Sequence, residues 1–403
     1  MKFVFKCIAA ITLFAGISAA AFVALNSHFG WTLPEAAPQE AAFLLTTQPA
    51  IEPTTTPTTE PLPPPEPPTT IPPQCTNTND TDPEEYIYEC YEVYEYEPNI
   101  VTITLSAAGD TTLGGDRRWQ GYHAFMREFE NSGRDHSHFM RNVAHIFYES
   151  DLTIVNLEGT LTYATYHMDK PFAFRGPPHF ARILSSSYID AVTISNNHTI
   201  DFFQRGYEDT VEALRAESIV YFGNEFKTIM EVNGIKVGMF GYRIWGDYAN
   251  NRNRITAAIE DLRYRGAQLI IAYFHWGVER QNMPEQYQIN IGRYTIRNGA
   301  DLVLGAHPHV IQGIEEYMGR FIVYSLANFS FGGNANPHDQ DSFIFQQTFS
   351  FYNGVLLPDI CKNIIPIFVS SVRYRNDFVP TVAEGADAER IMARIYRYSE
   401  WLR

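Results

Sequence analysis

Seven residues of this 403-residue chain have the types and spacing of a shared cation site: Asp110, Glu158, Asn197, His198, His275, His307 and His309. Imidazole nitrogens suit Zn, Mn and Fe, and neighbouring carboxylates shift the preference towards Mn or Mg. In GAHPHV, His307 and His309 stand two apart and point the same way if the preceding strand continues. Pro308 between them fixes its φ and stiffens the turn. In SNNHTIDFF, Asn197 offers a neutral carbonyl oxygen and His198 an imidazole that titrates near neutrality. Asp201 follows three residues later, and a helix starting there would bring its carboxylate to the ring. Asp110 closes SAAGD, with Gly109 allowing close backbone approach and Asp116 slightly further on; Glu158 in VNLEG could bridge two cations. His275 ends the apolar run IIAYF, where Glu279 could orient it. Each residue also has an ordinary reading as a turn residue, a surface acid or a satisfied core histidine. Those ordinary readings would have to hold independently at five successive strand ends.

The elements that must position these residues read as short apolar runs: IVTITLSAAGD from near Ile100, then DLTIVNLEG, DAVTISNNH, QLIIAYFHWG, DLVLGAHPH and RFIVYSLANF. Helical stretches, including 206–217 and 255–265, fall between them. Buried strands alternating with helices predict an α/β sheet. Every run ends in its most polar residues, and open α/β sheets bind ligands outside the carboxyl ends of their strands. Near the C-terminus, Ile391, Ile395, Tyr398 and Leu402 recur at helical spacing and predict a helix over 386–402, packed on the domain or on a partner.

The composition sets limits. A hydrophobic fraction of 45% supports a sizeable core. A formal net charge of −16 argues against nucleic acid as a partner. Part of that acidity lies in 80–97, DTDPEEYIYECYEVYEYE, which reads as a solvated linker. The 4 cysteines form no CxxC pair, which disfavours a thiolate zinc site. Cys75 and Cys90 flank the acidic segment and could close a loop in an oxidising compartment. At the N-terminus, Lys2 and Lys6 precede an uncharged run from Cys7 to Leu25, long enough to span a bilayer. It reads as a signal anchor or as a signal peptide cut near 18–21; either exports the remainder. The Thr/Pro tract 46–73 favours an extended polyproline stalk. The expected organisation is a membrane segment or signal over 1–26, a linker over 27–99, a folded domain over 100–370 and an extension over 371–403.

The stretches GDTTLGG, VNLEGTLT, FAFRGPP, ISNNHTIDF, FHWGVE, GADLVLGAHPHVIQGIE and YSLANFSF occur in that order over 101–333. As an ordered set they resemble the CapA family of poly-γ-glutamate capsule biosynthesis proteins, which is similar in fold to calcineurin-like metallophosphoesterases. The resemblance implies a four-layer α/β/β/α sandwich holding one or two divalent ions (Mn, Zn or Fe). It implies Asp110 and bridging Glu158 as ligands, with His309 on the first metal and Asn197, His275 and His307 on the second. His198, paired with Asp201, would be the general acid; Arg175, Gln312, Glu315 and Asn328 would be pocket residues. The chain also departs from the pattern. Where metallophosphoesterases open with Asp-x-His it has Thr111 and Thr112, Glu158 replaces a bridging Asp, and Ala327 replaces the Gly of YSLGNF. One metal position therefore lacks a ligand.

The functional expectation is a metal-dependent hydrolase or transferase at the cell surface, acting on a phosphate ester or a γ-glutamyl amide. Its partners would be an anionic polymer and a membrane polymer-synthesis complex. The alternative is a non-catalytic component of that complex with a vestigial site. The stalk alone would fit a scaffold or adhesion protein. An acidic polymer would be repelled by the −16 charge unless metals and Arg175 offset it locally.

Overall fold

In the computed structural model, which describes residues 100–358 and 361–402, the chain opens with β1 (Ile100–Thr112) and α1 (Gln120–Asn131). It continues through β2 (Leu152–Leu157), β3 (Ala191–Thr193), α2 (Phe203–Ala216) and β4 (Val220–Phe222). A second run comprises β5 (Thr228–Val232), β6 (Ile235–Ile244), α3 (Ala249–Tyr264) and β7 (Leu269–Trp276). It is completed by α4 (Gln286–Arg297), β8 (Leu302–Ala306), β9 (Ile314–Tyr317) and β10 (Arg320–Val323). Then come β11 (Asn328–Phe331), β12 (Asp341–Tyr352), β13 (Cys361–Phe368), β14 (Thr381–Val382) and α5 (Gly385–Ser399).

Two sheets result. The larger runs β14-β13-β12-β1-β2-β3-β4, with β11 also pairing β1; the smaller runs β9-β10-β8-β7-β6-β5. Successive strand residues point to opposite faces, so Ile154 of β2 enters the core between the sheets while Val155 enters an outer core. The inner core interleaves Ile103, Leu105 and Phe343 of the larger sheet with Met239, Ile271 and Leu304 of the smaller. Outside the larger sheet, Phe125 and Phe129 of α1 and Val211 and Leu214 of α2 pack on Val155 and Val192. Outside the smaller sheet, α3 and α4 bury Ile255, Ile259, Leu262 and Ile291 against Phe240, Ile270 and Val303. The layers run helix, sheet, sheet, helix. Burying one apolar stripe per helix is what makes such helices form at all, and α4 adds a reciprocal Glu285–Gln288 capping box.

The stretches expected to be helical fall on α2 and α3, each of which begins earlier and ends one residue sooner than expected. The C-terminal helix is α5, finished by a tight turn over Glu400–Leu402. Ile391 and Ile395 join the core between the sheets, Leu402 joins the outer core beside α4, and Tyr398 is half-buried against the former. Segments past residue 370 thus share cores with the rest of the unit. By contacts the chain divides into Met1–Cys90 and Tyr91–Arg403. The N-terminal apolar run, the Thr/Pro tract, the acidic segment and the Cys75–Cys90 pair lie outside the described residues. Among the described residues, no helix is long and apolar enough to cross a membrane.

Candidate metal centre

The parallel registers bring the polar strand ends together. Asp110 at the end of β1 pairs with Asn156 of β2, and His275 of β7 pairs with Ala306 of β8. Asp110 is fully buried. Its approach to the β10–β11 connection needs glycine before it: a Cβ on Gly109 would lie 1.9 Å from the Ala327 carbonyl oxygen. The Asp110 amide donates to that oxygen at 2.9 Å. Its Oδ1 accepts from Asn156 Nδ2 at 2.8 Å, and its Oδ2 accepts from the His307 amide at 3.2 Å. Oδ2 also lies 3.0 Å from His309 Nδ1.

Glu158, one residue past β2, is different. Both of its carboxylate oxygens are buried, and neither has a hydrogen-bond partner among the described residues. Oε1 faces three imidazoles: His198 Nε2 at 3.7 Å, His309 Nε2 at 3.8 Å and His275 Nε2 at 4.0 Å. These gaps are too long for hydrogen bonds. They match the roughly 3–4 Å between ligand atoms around one ion with bonds of about 2.1 Å. His307 Nδ1 is likewise buried and unpartnered among the described residues. Orphaned buried polar atoms are costly unless something pairs them, so the donor set fits a divalent cation.

Three groups of donor atoms lie within 4.8 Å of one another: Asp110–Glu158–His309, Glu158–His275–His307, and Glu279–His307–His309. Glu158 belongs to the first two. Asn197 Oδ1 contacts His275 Nε2 at 2.8 Å, which adds an oxygen beside the second group.

The backbone aims these side chains in an unexpected way. β8 stops at Ala306, and His307 and His309 adopt φ of 95° and 57°. The HxH alternation of a continued strand is replaced by a left-handed turn, a conformation that costs energy for residues other than glycine. The ring centroids of His307 and His309 stand 5.8 Å apart, and Trp245 sets its ring 4.7 Å from His307. Asn328 Oδ1 lies 2.9 Å from His309 Nδ1, and its Nδ2 donates to the His309 carbonyl at 3.3 Å. Ala327, at φ 59°, occupies the left-handed position that glycine would fill more easily.

No helix starts at His198; a turn carries it, and α2 begins only at Phe203. The turn nevertheless brings Asp201 Oδ2 to 2.6 Å from His198 Nδ1. Asp201 is itself held by Lys170 Nζ at 2.7 Å and by the Phe174 amide at 2.6 Å. Phe174 stacks on the imidazole with centroids 4.0 Å apart. The ring is locked with Nε2 facing Glu158.

Electrostatics follow from this burial. Burial drives the Glu158 carboxyl well above its ordinary value, and neighbouring Asp110 pushes the same way. Burial works against a charged His309, but Glu158 and Asp110 outweigh it and raise the imidazole to about 10. Burial, then its neighbour His309, lowers His307 to about 3; burial, then His307, takes His275 well down. Burial also lowers His198, with Asp201 partly offsetting it. A divalent cation bound here would compete with protons, because ligands must shed protons to bind it.

The other sequence-picked residues fall in two places. Asn328 joins His309 at the site. Arg175 directs its guanidinium onto the carbonyls of Tyr163 and Ala164 and over the Phe202 ring at 5.2 Å. Gln312 is buried between Gln288 and the Gln281 carbonyl, and Glu315 pairs with Arg293 at 2.6 Å and with Tyr324. The structure does not bring these three to the cluster. Asp116 is taken up by Arg118 and the Ala173 amide. Thr112 turns its hydroxyl to the Glu158 carbonyl at 2.8 Å. Glu279 groups with His307 and His309, while Asn156 is the residue beside His275 Nδ1, at 3.3 Å. Asn156, Lys170, Phe174 and Trp245 were not singled out by spacing. A carboxamide, Asn156, near the end of a wholly buried strand was the one available signal. A cavity of about 930 Å³ opens over the cluster, lined by His198, Glu279, His309, Asn328 and Phe331.

A mixed α/β fold that gathers His, Asn and carboxylate side chains able to hold a metal ion at strand carboxyl ends is that of a metallophosphoesterase-like class of protein. Residues 104–333 match the family described as bacterial capsule synthesis protein PGA_cap. The chain belongs to this family, the CapA family of capsule and poly-γ-glutamate biosynthesis. It is 27% identical over 207 residues to the PGA biosynthesis protein CapA of Bacillus subtilis (strain 168), covering 46% of this chain and 54% of that one. It is 26% identical over 256 residues to the capsule biosynthesis protein CapA of Bacillus anthracis, covering 57% and 60%. The chain thus spans little more than half the length of these relatives. A hypothetical protein from Thermus thermophilus overlays 66% of this chain and 99% of its own at 14% identity and a TM-score of 0.38.

Proposed function

We propose that this chain is a metal-dependent hydrolase or transferase of capsule-polymer biosynthesis, held outside the cell by its N-terminal segment and acting on a phosphate ester or a γ-glutamyl amide. The observation that carries this reading is Glu158, a buried carboxylate without a hydrogen bond among the described residues, ringed by three imidazoles at 3.7–4.0 Å. Asp110, Glu158 and His309 would hold one Mn, Zn or Fe ion; Glu158, Asn197, His275 and His307 would hold another. The second set has one more ligand, because Thr112 faces away where a histidine would complete the first. The four-layer calcineurin-like arrangement supports this assignment, and the relatives' names supply the polymer.

A cation bound there would supply Lewis acidity and lower the pKa of an oxygen it holds. The chain's own residues do the rest. His198 exchanges a proton at Nε2 with the leaving group, a role that contributes typically 10²–10⁴-fold. Asp201 fixes its Nδ1, and Lys170 and the Phe174 amide fix Asp201. Asn328 holds His309 so that Nε2 faces Glu158, and Trp245 shields His307 from water.

The test is hydrolysis of p-nitrophenyl phosphate esters and of a γ-glutamyl anilide by the full chain loaded with Mn, Zn or Fe. Turnover of either substrate that falls at least a hundredfold in His198→Ala, with metal content unchanged, is the expected result. Retained metal with no turnover of any substrate would instead favour a non-catalytic component of a membrane polymer-synthesis complex.

A further inference from the structure

The cavity over the cluster has an outer wall that the metal chemistry leaves unused. Trp119 and Phe172 line it, 51% and 43% exposed. Their ring centroids stand 5.4 Å apart, tilted by 43°. Phe172 leads on to Phe174 at 6.2 Å, and Phe174 stacks on His198. The rings form a stair from solvent to the proton-exchanging histidine. The platform is also anchored, since Trp119 Nε1 donates to the Pro171 carbonyl at 3.3 Å and Arg118 donates to the Lys170 carbonyl at 3.0 Å. Two large rings held open to water at the mouth of a cavity mark a binding surface.

The charges around this wall indicate its occupant. Arg394 reaches the cavity but is committed to Asp339 and Asp341. Glu279 and Arg280 are the remaining carboxylate and guanidinium of the lining, one of each sign. Recognition of a carboxylate chain calls for several free arginine forks, and outside the Arg394 clamp the lining offers one, Arg280. Its other polar groups include the neutral side-chain amides of Gln120 and Asn336, both open to solvent. A ligand that presents C–H groups on one face and hydroxyls at its edge matches both features. C–H groups pack on the negative face of an aromatic ring, and hydroxyls pair with amides that both donate and accept.

We infer that Trp119 and Phe172 form a subsite for a neutral pyranose ring of a glycan, with its hydroxyls towards Gln120 and Asn336. The subsite goes beyond the hydrolase reading and does not depend on it. It places a sugar at the mouth of the cavity, so that a group carried on the glycan lies next to His198.

The test is isothermal titration of the full chain, in chelator, with cellotetraose, chitotetraose and maltotetraose, and with a γ-glutamyl oligomer as the anionic comparison. At least one neutral sugar binds, insensitive to added salt. Its affinity falls about tenfold in Trp119→Ala and in Phe172→Ala, while Trp119→Phe retains it. Equal thermal unfolding of the variants excludes a folding defect. The inference is overturned if none of the three sugars binds, if binding survives both alanine substitutions, or if only the γ-glutamyl oligomer binds. Because chelator is present throughout, none of these outcomes bears on metal loading or hydrolysis.

Discussion

Glu158 and Asp341 are both buried acids, 0% and 6% exposed, yet the fold treats them in opposite ways. Asp341, at the start of β12, meets two guanidinia from α5. Arg390 lies at 2.5 Å, and Arg394 bonds the same carboxylate while also pairing with Asp339 at 2.5 Å. Burial alone would raise the Asp341 carboxyl, but hydrogen bonds from Arg390 and Arg394 take it below its ordinary range. Glu158 has no arginine or lysine partner among the described residues, and its carboxyl is pushed up. At Asp341, which it buries for structure, the chain supplies arginine. At the strand ends it supplies imidazoles, which pair with a cation as readily as with an anion. The difference separates a clamp from a candidate metal centre.

Breaking the comparison at the strand ends has the largest expected effect. His307→Ala combined with His309→Ala removes ligands from all three donor groups, and titration calorimetry should show divalent-ion affinity falling by more than about a hundredfold. Asn156→Ala removes the amide between Asp110 and His275. It should cost about tenfold in metal affinity, within the range for residues that orient ligands, with folding retained.

Breaking it at the clamp acts on stability instead. Asp341→Asn leaves Arg390 and Arg394 without their shared carboxylate. Because Arg390 is 45% exposed, the full cost of a broken buried pair is discounted to about 2 kcal/mol, read from urea unfolding. The pH dependence has a definite sign. A carboxyl whose folded pKa is depressed contributes stability above its unfolded value, near 3.8, and loses it as pH falls through the folded value. The stability gap between the native chain and Asp341→Asn should therefore hold from about pH 7 to about pH 5 and close below about pH 4.

Two smaller effects sharpen the contrast. Glu158→Gln replaces a buried carboxyl whose ionisation burial and Asp110 already oppose, so the metal-free protein should gain about 1 kcal/mol of stability or less. Ala327→Gly relieves a left-handed backbone at the same end of the molecule and should stabilise by about 1 kcal/mol or less. Differential scanning calorimetry of chelated protein checks both.

Much of the site could be read from sequence because strand ends are local signals. An apolar run ending in His or Asp announces both a strand and what stands at its carboxyl end, and the cluster from Asp110 to His309 follows that rule. Side-chain direction was not local. Arg175 and Glu315 sit inside recognisable motifs, yet each turns to a neighbour that only the folded chain supplies, the Tyr163–Ala164 carbonyls for one and Arg293 for the other. Asn156 matters because the register sets it opposite Asp110, and register is a property of two strands. The left-handed turn at His307 was hidden for a similar reason, since two histidines flanking a proline fit a strand or a turn equally well. In the fold, the antiparallel strands β12 to β14 carry no polar terminus to announce them. α5, by contrast, was legible from its apolar spacing alone.

The most direct test of the central claim is the metal content of the full chain after equilibration with Mn, Zn and Fe, measured by elemental analysis beside the His307→Ala/His309→Ala double variant. At least one ion per chain, lost in the variant while its unfolding temperature is maintained, is the predicted result. A native chain that emerges free of all three metals, or a variant that keeps them, would contradict it.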